Sequence, residues 1–299
     1  VKHNLILAAL AAVSFSLPAF GQDSQSQSEY QYQTSAGRID VTAALGYQQM
    51  EAKGPNASKV EQKGLSQMVR GEYGINDMFS AGLIVRNFDL KSEYSANLNQ
   101  PSTKESGLAD PVIFFHGRMA QGPGSLRFGA DVGFSLEDSE ISSTDNENMA
   151  SGGISVAPFV GYEMIKDQCT YGARVSYLFY ATERNETDKT STPPDKNKLK
   201  GGAALTTALF YEHNMNPWIL GAALEFVFQD GEKTTTAGVT TEEDASHSAY
   251  RLNVYAPYDI SQTIRLLPRI TYGNYMAMDK TERTSQNDMT VEIGARFTF

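Results

Sequence analysis

Short segments of this chain alternate apolar and polar side chains with a period of two, the pattern that sends successive residues to opposite faces of a β-strand. The last segment is the clearest: Val291, Ile293, Ala295, Phe297 and Phe299 share one face, and Thr290, Glu292, Gly294, Arg296 and Thr298 the other. From Leu126, the residues Phe128, Ala130, Val132, Phe134 and Leu136 alternate in the same way with Arg127, Gly129, Asp131, Gly133, Ser135 and Glu137. Runs from Tyr171 and Trp218 follow suit, with Leu178, Ile219 and Val227 as breaks. Carried along the chain, the pattern predicts twelve strands, near 38–51, 63–74, 78–91, 106–119, 125–138, 151–165, 170–183, 199–212, 218–230, 246–258, 263–278 and 288–299. The clearest runs are about ten residues, the length a tilted strand needs to cross a bilayer.

The connections alternate in length. Short ones fall at Gly74–Asp77, Gln121–Gly124, Lys166–Gln168, His213–Pro217 and Asp259–Ser261, most of them rich in turn-forming residues. Long polar ones lie between, including Ser139–Ala150, Arg184–Lys198 and Gly231–Ala245. The fold expected is therefore all-β: one antiparallel transmembrane β-barrel of about 12 strands over residues 38–299, with short periplasmic turns and longer extracellular loops. A soluble sandwich or secreted barrel also alternates, but would turn its apolar face inward. Tyr47, Tyr73, Tyr162, Trp218, Tyr258, Tyr272 and Phe299 instead cluster near strand ends, as interfacial girdles do. Pro158 and Pro268 fall within strands and predict bulges or strand ends.

Residues 1–21 read as a secretory signal peptide, with Lys2, an apolar run from Leu5 to Val13 and a small-residue site at Ala19-Phe20-Gly21. The Gln/Ser-rich stretch from 22 to 37 reads as a flexible periplasmic tail. A formal charge of −10 argues against nucleic acid as a partner. The single cysteine, Cys169, forms no internal disulfide, no zinc-ligand spacing is present, and neither metal nor cofactor is implied. Glu137-Asp138-Ser139-Glu140 lacks EF-hand spacing and reads as solvated charge.

The terminal Phe299, with Phe297, Ala295 and Ile293 before it, resembles the C-terminal signal by which the barrel-assembly machinery recognises bacterial outer-membrane proteins. Ser106-Gly107-Leu108-Ala109-Asp110-Pro111 looks like the Gly-Leu-Gly-Asp element of the MetA-pathway-of-phenol-degradation family of outer-membrane transport-like proteins. The turn at Arg70 to Asp77, running into Met78 to Val85, is similar to that family's second hairpin. The resemblance implies an outer-membrane location and passive passage of small hydrophobic or aromatic solutes, with outer-membrane lipid and lipopolysaccharide as the surroundings.

The chosen phase places Arg70, Arg86, Arg118, Arg127, Arg174, Arg251, Arg265, Arg269 and Arg296 in the lumen, with Asp40, Glu72, Asp110, Asp131, Glu137, Glu163, Glu225 and Glu292. With the signs so nearly balanced, no strong net ion preference is expected. Such rows either set selectivity in a wet pore or pair across the lumen and close it. Catalysis is not expected: no barrel histidine has serine two positions on, His116 and His213 read as polar lumen or rim residues, and no histidine adjoins Cys169 in sequence. Two functions remain, a channel or uptake protein for small solutes, or a closed barrel with a structural or binding role through its extracellular loops.

Overall fold

The computed structural model describes residues 28–53, 59–95, 102–141, 146–189, 192–236, 239–244, 246–277 and 285–299; the expected signal peptide lies outside them. Twelve long strands among the described residues form one antiparallel ring. They are β1 (Ile39–Lys53), β2 (Lys59–Gly74), β3 (Phe79–Tyr94), β4 (Val112–Gln121), β5 (Gly124–Phe134) and β6 (Ile154–Lys166). The second half comprises β7 (Cys169–Tyr180), β8 (Ala204–Asn214), β9 (Ile219–Gln229), β10 (His247–Tyr255), β11 (Ile264–Ala277) and β12 (Ser285–Thr298). Each strand pairs with its chain neighbours, and β1 closes the ring on β12, from Asp40 opposite Thr298 to Lys53 opposite Ser285. Closure leaves no open strand edge, which hydrocarbon could not solvate. No helix among the described residues is long and apolar enough to cross a membrane, which leaves the crossing to strands.

The alternation in the sequence becomes the two faces of the wall. Leu209 (59% exposed), Ile293 (57%), Leu45, Val69, Phe226 and Val254 stand outside, whereas Thr42, Glu72, Arg127 and Arg296 are buried inside. In water such an outer face would forfeit about 25 cal/mol per Å² of apolar area, and it far outgrows the apolar patches of soluble monomers. Lipid removes that cost. Tyr73, Tyr171, Tyr211 and Trp218 are exposed at the short-turn ends of their strands, where an amphipathic ring suits the headgroup boundary. The turns have local causes: Asn76 Oδ1 accepts from the backbone N–H groups of Met78 (2.9 Å) and Phe79 (2.8 Å). Asp167 adopts a left-handed φ of 55°, as a tight hairpin turn requires.

Four expectations change. The segment 106–119 is two pieces, Thr103–Leu108 and β4, both paired with β3. Asn87 faces Leu108 while Ile84 faces Val112, so an extra residue at Ala109–Pro111 forms a bulge where Pro111 has no N–H to give. The segment 125–138 ends as a strand at Phe134; Leu136 is 70% exposed and Glu137 lies outside the lumen. Alternation alone does not say where lipid stops. Pro158 makes no bulge: the β6–β7 register is the same on either side of it, with Phe159 facing Ser176 and Val156 facing Phe179. Pro268 sits just past the last β10–β11 pair, Tyr255–Arg269.

On the long-loop side, Ser139–Ile141, Arg184–Asp188, Asp195–Gly201, Glu232–Thr236 and Val239–Asp244 join in a five-stranded sheet above the barrel. Arg184 pairs with Glu232 at 2.7 Å and Asn197 donates to Glu186 at 3.0 Å within it. The acidic run lies at the surface, where Asp138 pairs with Lys196 and Glu140 with Lys189 through solvent-exposed side chains.

The fourth correction concerns the N-terminal stretch. The tail expected to be flexible is, from Ser28 on, docked inside the barrel: Ser28, Gln31, Gln33 and Thr34 are all buried. The alternation Glu29-Tyr30-Gln31-Tyr32-Gln33-Thr34 supplies polar groups to the charged inner wall and one large ring to the apolar part of it.

Candidate functional site in the barrel lumen

Residues 28–36 form a plug across the short-turn end of the lumen, and the inner strands supply a partner for nearly every step. Ser28 donates from Oγ to Glu163 at 2.7 Å. Glu163 is fully buried and also accepts from Ser125 (3.0 Å) and from Arg127 Nε (2.9 Å). Glu29 pairs with Arg265 and with both terminal nitrogens of Arg296, at 3.1 and 2.9 Å. The backbone N–H groups of Glu29 and Tyr30 donate to Glu212 at 3.0 and 2.9 Å, and Tyr255 donates to the same carboxylate at 2.8 Å. The Tyr30 ring stacks on Phe210 at 5.0 Å, in a cluster with Ala223 and Tyr255, and its hydroxyl donates to Glu225 at 2.8 Å.

Further along, Tyr32 donates to Asp40 and carries the Arg296 guanidinium on its ring at 3.5 Å. Gln33 bridges the Met78 carbonyl and Arg127. Thr34 donates to Asp40 from its hydroxyl (2.8 Å) and to Glu72 from its N–H (3.1 Å). A single backbone bridge, Ala36 with Gly74, joins the segment to the wall. Gly74 is needed there, because a Cβ would lie 1.9 Å from the Ser35 carbonyl oxygen. Buried carboxylates survive only when hydrogen-bonded, and the plug supplies donors to Glu163, Glu212, Glu225, Glu72 and Asp40.

Above the plug a cavity of about 230 Å³ remains. Its wall includes Arg70, Arg86, Arg127, Arg174, Arg269, Glu292 and Arg296 of the sequence-derived set, with Met68, Ile84, His116, Phe159, Tyr255 and Leu267. Arg70 pairs with Glu72 at 2.7 Å, and His116 with Asp131 at 2.8 Å. Arg174 lies over the Phe159 ring at 3.8 Å, Arg269 faces Tyr255 at 5.9 Å, and Arg86 projects into the open lumen.

The other candidates are placed as follows. Arg118 stands opposite Arg127 in register. Arg251 contacts Tyr275, and Glu225 also accepts from Asn253. Arg265 binds Asp259 as well as Glu29. Asp110 sits in the bulge at the long-loop end, accepting from Ser135 (3.0 Å) and the Ser151 N–H (3.1 Å). Phe297 pairs with Val41 and Ile264, and Phe299 exchanges backbone hydrogen bonds with Ile39.

Sequence reasoning missed Glu212 and the plug residues; the period-two run from Glu29 to Thr34 was the available signal. It also separated Cys169 from any histidine, whereas the β7–β8 register sets Cys169 opposite His213, with Sγ 3.4 Å from Nδ1 and 3.0 Å from the Tyr211 hydroxyl.

No family model matches the chain, and neither does any curated protein. Solved structures do. An outer membrane channel from Pseudomonas putida F1 aligns over 91% of this chain and 99% of its own, with a TM-score of 0.67 at 11% identity. The transport unit of the autotransporter AIDA-I from Escherichia coli aligns over 98% of this chain and 97% of its own, with a TM-score of 0.54 at 9% identity. At such identities the likeness is one of fold: the chain is a twelve-stranded barrel of the bacterial outer-membrane type.

Proposed function

We propose that the protein is an outer-membrane channel for passive passage of small, hydrophobic or aromatic solutes, closed at rest by its own N-terminal segment. The observation that carries this is the nature of the closure. The lumen is blocked by a segment held almost wholly through side chains, with one backbone bridge to the wall, so it can leave without breaking a strand ladder. The cavity above it, and the likeness of the fold to the Pseudomonas putida outer membrane channel, support the same reading.

The test is single-channel conductance in a planar bilayer, comparing the wild type with Tyr30→Ala, which removes the stacking on Phe210 and the bond to Glu225. The variant is expected to open far more often. Silence in both, from protein shown folded by circular dichroism, would overturn the channel. The reading left would be a closed barrel acting through its loops, which the ordered five-stranded sheet on the long-loop side favours.

A further inference from the structure

We propose that the cavity above the plug binds a small organic anion, a carboxylate carried on an apolar or aromatic body; this rests on the channel reading and names its solute class. Arg86, Arg174 and Arg269 direct three guanidinium groups at this space, and none has a hydrogen-bond or ion-pair partner among the described residues. The contrast with the other lumen arginines is internal to the molecule. Arg70, Arg127, Arg265 and Arg296 each hold a carboxylate.

Several acids nearby are hydrogen-bonded to other groups. Glu29, Asp40 and Glu72 are bound within the plug region, and Asp131 is taken by His116. Glu292, opposite Arg269 in register, also faces the cavity without an ion pair. Three guanidinium groups thus keep free N–H donors in an enclosed lumen, where a guest carboxylate could accept from them.

The chemistry favours a carboxylate on a ring or short apolar chain over a bare inorganic ion. Guanidinium forks match a carboxylate with two parallel hydrogen bonds. Phe159, Tyr255, Ile84 and Leu267 supply apolar wall beside the cations. The volume, about 230 Å³, falls below the ~300 Å³ at which drug-sized pockets begin, which restricts the guest to a small molecule.

Equilibrium dialysis of the purified full chain in detergent against labelled benzoate, benzyl alcohol, benzylamine and sulfate tests this without requiring the channel to open. Benzoate is expected to bind saturably, benzyl alcohol about tenfold or more weakly for want of the charge-assisted bonds, and benzylamine not at all. Arg86→Gln and Arg269→Gln should each weaken benzoate by about tenfold, with Arg86→Lys between them and the wild type. No benzoate binding by folded protein overturns the proposal, as does equal binding of benzyl alcohol. Sulfate binding as tightly as benzoate overturns the aromatic carboxylate in favour of an inorganic anion. Benzoate bound by a barrel silent in the bilayer upholds the site while the channel falls. A conducting barrel that ignores benzoate does the reverse.

Discussion

The two levels of the lumen use the same side chains to opposite ends. At the short-turn end, Glu163, Glu212, Glu72, Arg127 and Arg296 are buried, and each is held by the plug, by a neighbouring strand or by both. Midway up, Arg86, Arg174 and Arg269 face open space, with an aromatic ring or nothing against them. Charge in a barrel interior is thus not one property. Where carboxylates and cations meet a segment that completes their hydrogen bonds, they seal the barrel. Where they do not, they stay available to a solute.

The sharpest way to break this comparison is to remove one charge from each level and measure unfolding in denaturant from lipid vesicles. Arg127→Ala strands Glu163 at zero exposure and should cost about 3–5 kcal/mol, the range for an orphaned buried charge. A loss below about 1 kcal/mol would mean the plug end is wetter than it looks. Next in size is Gly74→Ala, whose Cβ would press into the Ser35 carbonyl. The wall can stay closed while the segment lifts, so proteolytic cutting within 28–36 should rise by about tenfold for each 1.4 kcal/mol of lost docking. Unchanged protection would show that the segment can shift and redock. The smallest effect belongs to Arg269→Ala, expected to change stability by no more than about 0.5 kcal/mol, since no partner is left behind. A large loss there would reveal a structural role and weaken the division between the two levels.

Much of the wall was legible in the chain because a barrel face is a period-two object. Val291, Ile293 and Ala295 outside, with Glu292 and Arg296 inside, can be read without knowing any neighbour. What needed the fold were relations across strands. Cys169 and His213 meet only because two separate turns set one register. The bulge at Ala109–Pro111 shows only when Leu108 and Val112 are both matched to β3. The plug was harder still. Its Gln and Ser content reads as solvated linker, since the acids that give those residues partners lie far along the chain. Hence Arg127 and Arg174, equivalent by pattern, could not be told apart: what separates them is whether a buried carboxylate such as Glu163 lies within reach.

The pairing of Glu29 bears on the order in which the molecule is made. Its two cationic partners, Arg265 and Arg296, belong to the last two strands, 236 and 267 positions away. These are among the longest closures the chain makes, and such contacts form late. The first described residues must therefore wait, undocked, until the final strand has joined the first. A seated plug is then a mark of a finished ring, and a barrel that stalls before β12 keeps its N-terminal segment free for a protease to reach.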